Sequence, residues 1–105
     1  MIRADFYESS DGFKKGFRVS GHAGFAEAGK DIVCSAVSTA VSMTANIITD
    51  GFLMEAEVSA LDNEISLNVK HPDRNSQAVI DILIEQLRII LSEYPETIKI
   101  TISEV

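Results

Sequence analysis

Apolar and polar residues alternate with a period of two along Ile2-Arg3-Ala4-Asp5-Phe6-Tyr7-Glu8, which predicts a strand with one buried face. Ser9-Ser10-Asp11-Gly12 is turn chemistry, and alternation resumes over residues 13–20 with Phe17 and Val19 on one side. The two segments are expected to form a hairpin. Residues 21–30 hold three glycines and three alanines, which offer little to pack and predict a loop. The period then changes. Val33, Ala36, Val37, Ala40, Val41, Thr44, Ile47 and Ile48 recur at helical spacing, so a helix is expected over residues 32–50, with Asp31 as its N-cap and Gly51 as its stop. Two strands follow over residues 53–61 and 64–70, joined at Asp62-Asn63; Ile65, Leu67 and Val69 alternate with polar residues in the second. His71-Pro72-Asp73 leads into a second helix over residues 74–93, which Pro95 stops, and residues 97–103 predict a last strand with Ile98, Ile100 and Ile102 on one face.

The order ββαββαβ implies an α+β sandwich: a mostly antiparallel sheet packed against two helices, in one domain spanning residues 1–105. The second helix carries Val79, Ile80, Ile82, Leu83, Ile84, Leu87, Ile89, Ile90 and Leu91, more than one stripe facing one core requires. Either it is sandwiched within the fold or its outer side meets another subunit. A homodimer is expected.

Composition narrows the function classes. A chain of 105 residues that is 46% hydrophobic can bury a core without disulfides or metals. It has one cysteine, Cys34, and no Cys/His spacing that suggests zinc, so neither an internal disulfide, a metal nor a cofactor is expected. The formal net charge of −7 argues against direct nucleic-acid binding and favours basic partners. The N-terminal residues do not read as a signal peptide, and no apolar run approaching the roughly 20 residues of a membrane span stands out. A cytoplasmic protein with a reduced thiol is the expectation, with no membrane partner.

The clearest sign of chemistry is Cys34, placed near a helix start and twelve residues after His22. Free N–H groups at a helix N-terminus favour a thiolate, but by only roughly 0.3–1 kcal/mol. Activation therefore requires an imidazolium beside the sulfur, and His22 is its source on this reading. Gly21 lets the chain turn sharply before His22. Asp31 either caps the helix, orients the far nitrogen of His22, or both. Ser38, one turn beyond Cys34, either supports the sulfur or back-bonds to a helix carbonyl. The plain alternative is equally physical: a lone cysteine in an apolar helix is a small buried hydrophobe, and His22 beside glycines is a turn residue. His71, before Pro72, reads as loop structure.

The stretch Gly21-His22-Ala23 … Gly29 … Asp31-Ile32-Val33-Cys34-Ser35-Ala36-Val37-Ser38 resembles the ribosomal-processing cysteine protease family, Prp. The resemblance extends to the leading hairpin, the length and the order of elements; Ser35 stands where alanine is more usual. It implies a dimeric α+β protease that removes the N-terminal extension of a large-subunit ribosomal protein, number twenty-seven, during ribosome assembly. Cys34 is then the nucleophile and His22 the general base. Gly21, Ala23, Gly24, Phe25 and Gly29 belong to a loop closing over substrate, with Phe25 a candidate wall for aromatic substrate residues. Two other readings remain at this level: a non-catalytic ribosome-associated binding protein with a structural cysteine, and a redox-sensing thiol, the latter lacking a resolving cysteine.

Overall fold

The five alternating segments form strands and the two helically patterned segments form helices. The computed structural model describes residues 1–21, 30–61 and 63–105, with residues 30 and 31 described by backbone alone. In chain order these are β1 (Ile2–Glu8), β2 (Lys14–Ser20), α1 (Lys30–Asn46), a π-helical turn (Ile47–Gly51), β3 (Ala56–Leu61), β4 (Glu64–Val69), α2 (Arg74–Glu93) and β5 (Ile98–Glu104). The strands make one sheet in the order β3-β4-β2-β1-β5. Three of its four pairings are antiparallel; β5 lies parallel to β1, with Ile2 opposite Ile98.

Register places the large apolar residues in rows on one face. Ala4 stands opposite Val19, Phe6 opposite Phe17, and Phe17 opposite Leu67 on its other side. Val33, Val37, Val41, Ala45 and Ile48 of α1 and its π turn close on this face, together with Ile80, Leu83, Ile84, Leu87 and Ile90 of α2. β2 and β4 approach closely at Gly16, where an added Cβ would lie 2.3 Å from the Leu67 carbonyl oxygen. The start of α2 is a capping box: Asn75 N and Ser76 N donate to Asp73 Oδ1, and Asp73 N donates to Ser76 Oγ. Asp73→Ala is expected to cost about 1 kcal/mol, read as a melting temperature lower by roughly 4–8 °C.

Three boundaries differ from the sequence expectation. Helix α1 begins at Lys30, so Asp31 lies inside it and is not the N-cap; lysine is a good helix former, and the helical backbone extends back through both residues. At the other end the regular helix stops at Asn46, and Phe52 N donates to Ile47 O across five residues, the wider π pattern. Strand β3 starts at Ala56 and not at Leu53, because Leu53 takes φ 55° and Met54 N is held by Ile48 O. The expectation about apolar runs also needs correcting. Residues Ile32–Gly51 form a 20-residue helical stretch long and apolar enough, by length and composition alone, to cross a membrane. Here its Val33-Val37-Val41 side is core of the domain, while Ile32, Met43 and Ile47 are exposed.

Candidate active site

Helix α1 sets one face over one end of the sheet. Cys34, Val37, Ser38 and Val41 follow the i, i+3, i+4, i+7 spacing of a single helical face, and all four line a cleft of about 450 Å³. Its floor is made by Ile2, Val19 and Ile65, the last two directly opposite each other across β2 and β4. Gly21, Leu61, Asn63 and Glu64 close its end. This volume falls within the roughly 300–1,000 Å³ of ligand sites. Cys34 is half-buried against the core, whereas Ser35 and Ser38 are exposed. The thiol therefore stands where an apolar floor meets solvent.

Two backbone features shape the rim. Gly21 takes φ 89°, and a Cβ there would sit 2.8 Å from the Met1 carbonyl oxygen, so only glycine fits this exit from β2. Its N–H donates to Asn63 O at 2.9 Å, which ties that exit to the β3–β4 turn, where Asn63 takes φ 66°. On the rim, Arg18 donates from Nε and Nη2 to Glu64 Oε1, each at 2.8 Å. This hydrogen bond, and then the attraction of the Glu64 charge, raises the guanidinium pKa above its ordinary value. The pair joins β2 to β4 at the rim, where Glu64 lines the cleft.

Of the residues singled out in the sequence, Gly21, Cys34 and Ser38 meet at this cleft. Asp31 belongs to the first turn of α1, and Cys34 is the fifth residue of that helix, further from its end than the expected third. The influence of a helix end fades within the first turn, and Cys34 stands beyond that turn. His22, Ala23, Gly24, Phe25 and Gly29 lie outside the described residues. Leu61, Asn63, Glu64 and Ile65 were not foreseen as cleft residues. The Asp62-Asn63 turn was legible, but its position beside α1 depends on β4 pairing with β2, which no local pattern encodes. Among the described residues no three His, Cys, Asp or Glu side chains gather as metal ligands.

The sequence matches the family described as cysteine protease Prp over residues 1–99. The chain belongs to the Prp family of cysteine proteases. The fold agrees: a Prp from S. aureus with a covalently linked product peptide aligns at TM-score 0.86 and 23% identity, covering 98% of this chain and 100% of that one. The same S. aureus protease with a substrate peptide aligns at TM-score 0.87 and 22% identity over 98% and 100% of the two chains. SMU.848 from Streptococcus mutans aligns at TM-score 0.81 and 23% identity over 100% and 96%. No curated protein sequence matches this chain. The chain is a cysteine protease, and its one cysteine opens onto a cleft.

Proposed function

We propose that this chain is a ribosomal-processing endopeptidase that removes the N-terminal extension of a large-subunit ribosomal protein, number twenty-seven, with Cys34 as nucleophile and His22 as general base. The observation that carries the reading is the chain's one cysteine in the wall of a cleft, in a member of a cysteine protease family. The S. aureus relative is described as an essential ribosomal processing protease and was captured with a substrate peptide and with a covalently linked product peptide. Ribosomal proteins bind RNA and are basic, and an acidic chain of net charge −7 suits a basic substrate.

The chemistry is acyl transfer. The Cys34 Sγ thiolate attacks the scissile carbonyl carbon, a C–S bond forms, and the carbonyl oxygen takes the negative charge. The imidazolium of His22 gives its proton to the leaving nitrogen as the C–N bond breaks. Water then attacks the thioester, losing a proton to His22, and the C–S bond breaks to return thiolate and free acid. Asp31 and Ser38 are assigned supporting roles, as orienter of His22 and as polar neighbour of the sulfur. Phe25, with Gly21, Ala23, Gly24 and Gly29, is assigned to the substrate-covering loop. The test is incubation with a peptide spanning the precursor's junction, alongside Cys34→Ala and His22→Ala. Binding without cleavage by the native chain would instead favour the non-catalytic binding module.

The activity is placed in the cytoplasm, where thiols stay reduced, without membrane or nucleic-acid partners. The working unit is read as a homodimer. Between α1 and α2 runs an outward groove of about 670 Å³ lined by Ile32, Met43, Ile47, Val79 and Ile82 among others, and no described charged residue lines it. Ile82 is 70% exposed in a single chain. An uncharged apolar patch suits pairing with its own copy about a twofold axis. Ile82→Lys is expected to convert a dimer to a monomer in sedimentation equilibrium; an unchanged dimer would place the contact elsewhere.

A further inference from the structure

The outer edge of β3 carries more than a structural strand needs to. Every residue of β3 beyond Ala56 is exposed, although Val58 and Leu61 are apolar, at 46% and 64% exposure. Its backbone polarity can be assigned. Lys70 N donates to Glu55 O, so residues 55 and 70 form a hydrogen-bonded pair, and the register Ala56 opposite Val69 continues without a bulge to Leu61 opposite Glu64. In an antiparallel ladder such pairs alternate. Residues 57, 59 and 61 therefore direct their N–H and C=O groups toward β4, and Ala56, Val58 and Ala60 direct theirs away from the sheet. No described residue pairs with that side. Edge strands are commonly blunted by lysine, proline or a bulge, and β3 has none of these. Its small residues Ala56, Ser59 and Ala60 leave the backbone open.

This edge runs into the cleft. Leu61, the last residue of β3, is a wall of the Cys34 cleft, whereas β5, the opposite edge of the sheet, contributes no residue to it. At about 3.3 Å per residue, β3 offers a ledge of roughly 20 Å ending at the thiol's cleft. We propose that an extended segment of the polypeptide substrate adds to the outer edge of β3 as a sixth strand, pairing with the backbone of Ala56, Val58 and Ala60, and so delivers the scissile bond to Cys34. The inference rests on the protease reading above and gives that protease its substrate-positioning surface. Backbone pairing supplies affinity, and side chains supply choice. The segment's alternate residues on the helix side meet Val58, favouring apolar ones; those on the other side meet Glu57, favouring basic ones.

The test uses the full chain. Val58→Pro and Ala60→Pro each delete an N–H that points away from β4, so the β3–β4 ladder keeps its bonds. Peptides spanning the precursor's junction are titrated against Cys34→Ala carrying each proline, with thermal melts confirming the fold, and cleavage is measured with Cys34 intact. Affinity is expected to fall about tenfold per lost hydrogen bond, with the melting temperature nearly unchanged. A second panel leaves the protein untouched and N-methylates the peptide one residue at a time. Losses at every second residue on one side of the scissile bond, with intervening positions tolerated, are expected. Unchanged affinity in folded proline variants, or a methylation profile without alternation, would overturn the proposal even if the native chain cleaves. So would proline variants that alter oligomeric state and not peptide affinity, which would make this edge a contact between copies. If the native chain binds without cleaving, the protease reading falls, and the alternation still decides the role of β3.

Discussion

Cys34→Ala is expected to lower kcat for the junction peptide by on the order of 10⁴–10⁶-fold while leaving KM within a few-fold. The split follows from the geometry. Ile2, Val19 and Ile65 supply the cleft floor and Leu61 its end wall, so most of the surface available to a peptide survives removal of one sulfur. What disappears is the sulfur assigned as the nucleophile in the proposed mechanism. His22→Ala is expected to cost roughly 10²–10⁴-fold, since the thiol persists but its proton has no assigned acceptor. Added imidazole should restore part of the rate to His22→Ala and none to Cys34→Ala. Initial rates over a range of peptide concentrations separate kcat from KM. Cleavage surviving in Cys34→Ala would end the assignment.

The second large effect is on stability. Phe17 is 1% exposed and Phe6 0%, their ring centroids are 6.1 Å apart with planes tilted by 52°, and Leu67 lies opposite Phe17 on the next strand. Phe17→Ala empties the middle of the sheet's buried face, where neighbours on both sides are backbone-anchored and cannot collapse into the space. The expected cost is about 3–5 kcal/mol, a large share of the 5–15 kcal/mol that holds a domain together. In a chain of this size that lowers the melting temperature by roughly 12–40 °C. Phe52→Ala is the matched control, because Phe52 is 47% exposed and its loss leaves no comparable void. Circular dichroism melts of both variants check the contrast; a Phe17→Ala loss below about 1 kcal/mol would contradict the packing described.

Periodicity made the fold legible wherever a segment's own residues decided its state. Ile2, Ala4 and Phe6 alternate because one face of β1 is buried, and the same logic gave β2, β4 and β5 to within a residue or two. Helix α2 matched throughout, its start written in the Asp73 cap. The excess apolar surface on α2 resolves into a buried Ile80-Leu83-Leu87 side and exposed Ile82 and Ile89. Failures came where distant groups decide. The π turn and the late start of β3 depend on hydrogen bonds from Phe52 and Met54 back to Ile47 and Ile48, which their side chains do not announce. At the site, Cys34 and Ser38 were found because a helix puts residues four apart on one face. Leu61, Asn63 and Glu64 were not, because only the strand order brings that turn beside α1.

The parallel pairing of β1 with β5 sets an order of events. Ile2 forms part of the floor beneath Cys34, yet its amide donates to Thr97 O and its strand gains its second neighbour only from residues 98–104. A nascent chain still missing that last segment has the thiol, the helix and the first hairpin, but its cleft floor is flanked on one side only. Contacts spanning nearly the whole chain form slowly and late. The floor beneath Cys34 is therefore completed only when residues 98–104 have joined the sheet beside β1.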